Sequence, residues 1–231
     1  MSEANPLWGA PRIHGELLKL GIDVSETTVS KYLVRNRQPP SRAWRTFLDN
    51  HAKDIIAIDF FTVPTATFRV LFVLVVLSHD RREILHANVT EHPPAAWSAR
   101  PVYEAIGLDE VPKYLIRDRD VKFGDTFNRQ VALAGLGEVL TAPASPWQNA
   151  YAERVIGTIR RECLNRTIIL GERHLRRMFQ RCAKYYNHVR THLSRAKDSP
   201  SGRSIQRADD VAIVSRPHCG GLHHEYYRQA A

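Results

Sequence analysis

The spacing of apolar positions changes twice along this 231-residue chain, and the changes outline its organisation. Over residues 8–35 the spacing is helical. Ile13, Leu17 and Leu20 share one face, Pro11 suits a first turn and Gly21 a stop. Ser25 then offers an N-cap for a second short helix, with Val24 placed to staple against Val29, and Leu33 continuing the face. Two short helices joined by "GIDVS" resemble part of a helix-turn-helix. The stretch "RNRQPPSRAW" is polar with a Pro pair and reads as a linker. Beyond about His51 the pattern becomes that of strands. "IIAIDFF" (55–61), "FRVLFVLVVLSH" (68–79) and "EILHANVT" (83–90) are close enough in sequence for an antiparallel meander. A helix-compatible segment with Trp97, Val102, Tyr103 and Ile106 follows, then strands at 113–118 and 138–143 around a helix at 125–135. From Asn149 the period is helical again. Ala152, Val155, Ile156, Ile159 and Cys163 make one stripe, and residues 172–190 form a second long helix. This order predicts an α/β fold: a five-stranded mixed sheet flanked by helices, with a small helical N-terminal segment. The expected division is 1–36 helical, 37–50 linker, 51–200 core and 201–231 irregular tail.

Charge adds a partner class. The net charge is +9, and residues 151–197 hold twelve Lys and Arg against three Asp and Glu, a surplus equal to that of the whole chain. An Arg-dominated surplus in one place suits phosphates, since guanidinium grips them with paired hydrogen bonds; a solvated helix face is the plain alternative. The longest apolar run, "VLFVLVVL", is too short for a bilayer, so no membrane partner is expected. The N-terminus lacks a signal pattern, and three cysteines without CxxC spacing suit a reducing cytoplasm. Cys163 reads as a small core residue, and Tyr185 and Tyr186 as packing for the last helix. His218, Cys219, His223 and His224 match no tetrahedral zinc spacing and are assigned to the tail.

Three acidic residues carry candidate chemistry. Asp59 sits inside an apolar strand, where an unpaired carboxylate is costly; alternation sets Ile58 and Phe60 on one face and Asp59 on the other. Asp118 ends the fourth strand, which a crossover can bring beside the first. Glu153 lies on the rim of the apolar stripe, free to face the sheet edge. Clustered carboxylates repel unless cations neutralise them. An all-oxygen set points to Mg²⁺ or Mn²⁺, and two such ions support in-line phosphoryl transfer.

The stretches "IIAIDFFTVPT", "LVVLSHDRREILHANVTEHP", "YLIRDRDVKFG", "ASPWQNAYAERVIGTIRRECLN" and "ERHLRRMFQRCAKYYNHVRTHLS" resemble, in order, the integrase catalytic core of bacterial insertion-sequence transposases and retroviral integrases. That family has the ribonuclease H-like fold. The resemblance implies a D,D,E triad with about 35 residues between the second Asp and the Glu. Here 34 separate Asp118 from Glu153, against 32 from Asp120. It implies Asp59, Asp118 and Glu153 as catalytic metal ligands for two Mg²⁺ or Mn²⁺ ions, and metal-dependent DNA cleavage and strand transfer. Arg154, Arg160 and Arg161, with Gln148 and Asn149 at the helix entry, become candidate contacts to transposon-end and target DNA. Homo-oligomerisation and a cytoplasmic, nucleoid-associated location are the further implications. Family members carry a complete helix-turn-helix region ahead of the core, of which residues 1–36 match only the end. Two other readings follow: an inactive DNA-binding transposase remnant, and a ribonuclease H-like nuclease.

Overall fold

The structure, a computed structural model, describes residues 1, 9–32, 41–106, 111–143, 145–206 and 212–229. It contains two compact units, Met1–Ser41 and Arg42–Ala231. In the first, helix α1 (Ala10–Lys19) and helix α2 (Glu26–Tyr32) bury Ala10, Ile13 and Val29, with Leu17 and Val24 packed against them. Ser25 Oγ accepts the backbone N–H of Thr28 at 3.1 Å, so the second helix is capped as expected. Leu20 does not join the apolar face. The helix closes before it, Gly21 turns the chain at φ 74°, and Leu20 is 63% exposed. Leu33 and most of the Pro-containing stretch lie outside the described residues.

The second unit begins earlier than the sequence pattern suggests. Residues 42–50, read as linker, form helix α3 (Arg42–His51). Trp44, Phe47 and Leu48 share one face and pack against Ile55, Ala57, Ile116 and Ala152. The neighbouring Pro pair masks this helical spacing in the sequence.

Strands β1 (Ile55–Pro64), β2 (Val70–Ser78) and β3 (Ile84–Thr90) form the antiparallel meander. Helix α4 (Ala95–Ala105) then crosses to β4 (Tyr114–Arg117), which pairs parallel with β1. Helix α5 (Asp125–Leu133) leads to β5 (Gly137–Leu140), parallel to β4. The sheet order is β3-β2-β1-β4-β5. Helices α6 (Ala150–Glu162) and α7 (Glu172–His188) complete the layers.

Strand alternation divides the core. Ile56, Ile58, Leu115, Phe123, Phe127 and Val131 pack on the α4 and α5 side. Ala57, Phe61, Val63, Ile116 and the α6 stripe pack on the other. All five predicted stripe residues of α6 and its end, Ala152, Val155, Ile156, Ile159 and Cys163, are buried.

The C-terminal stretch is not irregular. Strands β6 (Ile213–His218) and β7 (His223–Arg228) form an antiparallel hairpin within the second unit. Its side chains are mostly polar, half of them exposed and half partly buried, so the apolar signal of a strand is weak in the sequence. No helix among the described residues is long and apolar enough to cross a membrane.

Candidate active site

Alternation and the crossover set the acidic residues. On β1 the odd positions face α6, which puts Asp59 on the α6 side with Ala57 and Phe61. On β4 the even position Ile116 faces α6, and Arg117 turns to Phe123 and Phe127 on the α5 side, with its guanidinium carbon 5.0 and 5.4 Å from their ring centres. Asp118 follows on the even side. Parallel pairing of β4 with β1 brings this strand end beside Asp59. Glu153, exposed in the first turn of α6, comes over the same sheet edge. Asp59, Asp118 and Glu153 line one open cavity of about 400 Å³, together with Arg119, Asp120, Thr141, Ala142, Pro143, Ser145 and Asn149.

The electrostatics are those of an uncompensated cluster. Burial pushes the Asp59 carboxyl up to about 7, and the charges of Glu153 and Asp118 add to that; the backbone N–H of Phe60, donated at 2.8 Å, pulls the other way. Among the described residues, no Lys, Arg or His forms an ion pair with Asp59, Asp118 or Glu153. Asp120 differs. Lys122 Nζ lies 2.7 Å from one of its carboxylate oxygens and 3.0 Å from the other. The backbone N–H of Lys122 also donates to it at 2.9 Å. Asp120 is therefore neutralised within its own turn, and its N–H donates to Asp118 Oδ1 at 3.1 Å, orienting that carboxylate.

Several framing residues escaped the sequence reading. Arg117 is buried and bonds Glu138 at 2.6 Å, Asn128 at 2.8 Å and the carbonyl of Asp118 at 3.0 Å. It thereby fixes the strand end that presents Asp118. Arg119 donates to the carbonyl of Thr141 at 3.0 Å and closes one wall of the cavity. A cation inside the predicted strand end was the available signal for Arg117, since a strand-face Arg needs an acidic partner.

Comparison with known proteins accords with this geometry. Residues 135–200 match the family described as "Integrase core domain". An uncharacterized 39.2 kDa protein of insertion element IS476 from Xanthomonas euvesicatoria is 24% identical over 188 residues, 81% of this chain. The chain spans about half the length of that curated relative, 54%. Among solved structures, the integrase catalytic core domain of HTLV-2 in complex with magnesium covers 64% of this chain and 94% of its own, at 11% identity and a TM-score of 0.50. The simian T-cell lymphotropic virus intasome in complex with the PP2A regulatory subunit B56 gamma covers 95% and 87%, at 13% identity and a TM-score of 0.51. At these identities the structural likeness is one of fold, which is ribonuclease H-like. Over residues 135–200 the chain is similar to an integrase core domain.

Around this cavity the five expected DNA contacts separate into two groups. Asn149 is buried, and its amide donates to the carbonyl of Ile58 at 3.0 Å. Gln148 Oε1 accepts the N–H of Ala142 at 2.5 Å. Both side chains hold the cavity's frame: Asn149 clamps α6 onto β1 beside Asp59, and Gln148 fastens the loop that forms the opposite wall. Their position at the helix entry is as read, but Asn149 does not offer its amide outward. Arg154, Arg160 and Arg161 are exposed on α6. Arg160 stands 5.4 Å over the Phe61 ring and reaches the carbonyl of Thr62 at 3.4 Å, alongside the strand that carries Asp59. Arg161 folds over Gly157, where an added Cβ would come 3.1 Å from its guanidinium.

Proposed function

We propose that this integrase core catalyses metal-dependent cleavage of DNA phosphodiesters and strand transfer, as a polynucleotidyl transferase of an insertion element. The observation that carries the reading is the convergence of Asp59, Asp118 and Glu153 on one open cavity without a cationic partner among the described residues. The donor set fits hard divalent cations: all ligand atoms are carboxylate oxygens, and burial, with their mutual repulsion added, raises the Asp59 carboxyl until positive charge arrives. Two Mg²⁺ or Mn²⁺ ions held by the three carboxylates would activate the attacking oxygen and stabilise the leaving one. Asp118 is held in orientation by the N–H of Asp120 and, through the backbone, by Arg117. Asn149 keeps Glu153 and Asp59 in register by tying the helix start to β1. Arg154, Arg160 and Arg161 give α6 a cationic outer surface for the phosphate backbone, and the amide nitrogen of Gln148 remains a contact candidate. Homo-oligomers, through which two DNA ends are joined, belong to the same reading and are checked by light scattering with and without end DNA.

The test is nicking and strand transfer on DNA bearing the element's ends, with Mg²⁺ or Mn²⁺. Activity on duplex DNA that disappears in Glu153→Gln and Asp118→Asn is expected. Wild-type rates in either variant overturn the assignment. Salt-dependent binding without turnover identifies an inactive DNA-binding remnant, and preference for RNA–DNA hybrid a ribonuclease H-like nuclease.

A further inference from the structure

The three cysteines of the chain lie far apart in sequence, yet they meet. Cys163 closes α6, Cys182 lies within α7, and Cys219 opens the single turn that joins β6 to β7. Their sulphur atoms all lie within 4.8 Å of one another. Cys163 and Cys182 are buried and Cys219 is half-buried. A fourth sulphur is adjacent, since Met178 Sδ is 3.6 Å from Cys182 Sγ.

Three features distinguish this cluster from ordinary small core residues. First, Cys219 holds a backbone conformation that a side chain resists, with φ at 50°, ahead of Gly220 at 73° and Gly221 at 89°. Glycine suits such a turn better, so the thiol is present at a conformational cost. Second, the hairpin's other attachments are polar or aromatic contacts, such as His223 and His218 on Tyr185 and Arg203 on Glu225. Among its described residues Cys219 is the side chain that packs on the main apolar core, and a two-stranded hairpin is marginal by itself in water. Third, an imidazole lies near the cluster, although neither of its nitrogens comes within 4.8 Å of all three sulphurs. His223 Nε2 meets the carbonyl of Glu162, the residue before Cys163, at 3.1 Å. That bond keeps the ring proton on Nε2 and leaves Nδ1 as a free lone pair, the arrangement of a metal-bound imidazole. The ring lies flat on Tyr185, 4.6 Å between centres and 6° from parallel.

We propose that Cys163, Cys182 and Cys219 bind one zinc ion as thiolates, that His223 shifts inward to become the fourth ligand, and that the ion staples the β6–β7 hairpin to α6 and α7. Three sulphurs and an imidazole are a soft donor set that zinc prefers in structural sites, unlike the all-oxygen cavity on the sheet edge. Each thiol releases its proton to solvent as the ion enters, and no electron is transferred. Cavities of about 390 and 600 Å³ both reach Cys219 and give the ion a path in. The first is lined by Arg166, Arg177 and Arg181, which offset the negative charge of the thiolates. A disulfide uses two of the three sulphurs and leaves the convergence of the third unexplained.

The experiment uses the full chain, purified under reducing conditions with zinc and without chelator. An Asp59→Asn/Glu153→Gln background removes a competing oxygen site. One zinc per chain is expected by metal analysis. Cobalt in its place is expected to give thiolate-to-metal charge-transfer absorption, which carboxylate ligation does not produce. Cys219→Ser should lose the zinc and speed hydrogen exchange across residues 213–228, while His223→Ala should keep the thiolate absorption and weaken zinc by about tenfold or more. If Cys219→Ser does not fold, the cobalt spectrum of the parent chain still decides. A folded, reduced chain that retains no zinc and shows no charge-transfer band overturns the site. Unchanged zinc affinity in His223→Ala overturns the fourth ligand.

Discussion

The acidic cavity and the sulphur cluster are built by the same device to opposite chemical ends. Each gathers three side chains from three separate elements, and α6 contributes to both, Glu153 at its start and Cys163 at its finish. The acidic site gathers hard oxygens at an open edge, where water and a polyanion can reach. The other gathers soft sulphurs behind two helices, with only Cys219 half-exposed. Openness suits turnover and enclosure suits a staple. One helix can serve both because its two ends are about 20 Å apart at 1.5 Å per residue.

The largest expected effect tests the oxygen side. Asp118→Asn and Glu153→Gln should each lower the rate of strand transfer by about a thousandfold or more, since losing a ligand removes transition-state stabilisation of several kcal/mol. Omission of Mg²⁺ and its later addition should stop and restore the same reaction in the parent chain. Retained rates would dissolve the contrast between the two clusters.

Next comes stability against pH. Asp59 rises from an ordinary 3.8 to about 7 in the folded chain, so between those values the folded state holds a proton that the unfolded state has released. Without divalent cations, stability should therefore fall as pH rises from about 4 to 7 and level off above. The upper limit is roughly 4 kcal/mol, at about 1.4 kcal/mol per pH unit. Mg²⁺ should recover much of this at pH 8, and Asp59→Asn should flatten the profile; thermal melts over the pH range check both. A Mg²⁺-insensitive melt at pH 8 would detach the carboxylate repulsion from metal binding.

Smaller effects sharpen the frame. Asn149→Ala leaves the buried carbonyl of Ile58 without its donor and should cost about 1–3 kcal/mol in chemical denaturation. Asp120→Asn should keep strand transfer within about tenfold of the parent, because a Lys122-paired carboxylate has little left for a cation. Equal loss in Asp118→Asn and Asp120→Asn would erase the distinction drawn between them. Arg160→Ala should weaken DNA binding without changing sequence preference and lower its salt slope by about one.

Much of this was legible in the pattern of residues. The five strands and their order, the α6 stripe and the separation of Asp118 from Glu153 follow from periodicity and spacing. Asp59 stood out because a carboxylate inside an apolar strand demands a reason. The errors have physical causes too. α3 hid beside a Pro pair, although Trp44, Phe47 and Leu48 keep helical spacing. The hairpin carries too few apolar residues to announce itself. Asn149 looked like an exposed helix entry, and its burial depends on β1 lying beneath it.

What the sequence alone determined is local: which residues alternate, which wind, which end a strand, and hence that Asp59 lies on the face opposite Ile58 and Phe60. What only the tertiary structure decided is which distant groups become neighbours. Arg117 can be buried because Glu138 arrives from the next strand and Asn128 from α5. Cys163, Cys182 and Cys219 are 19 and 37 residues apart, spacings that match no motif. Their meeting depends on the packing of two helices and a left-handed turn, which periodicity does not encode.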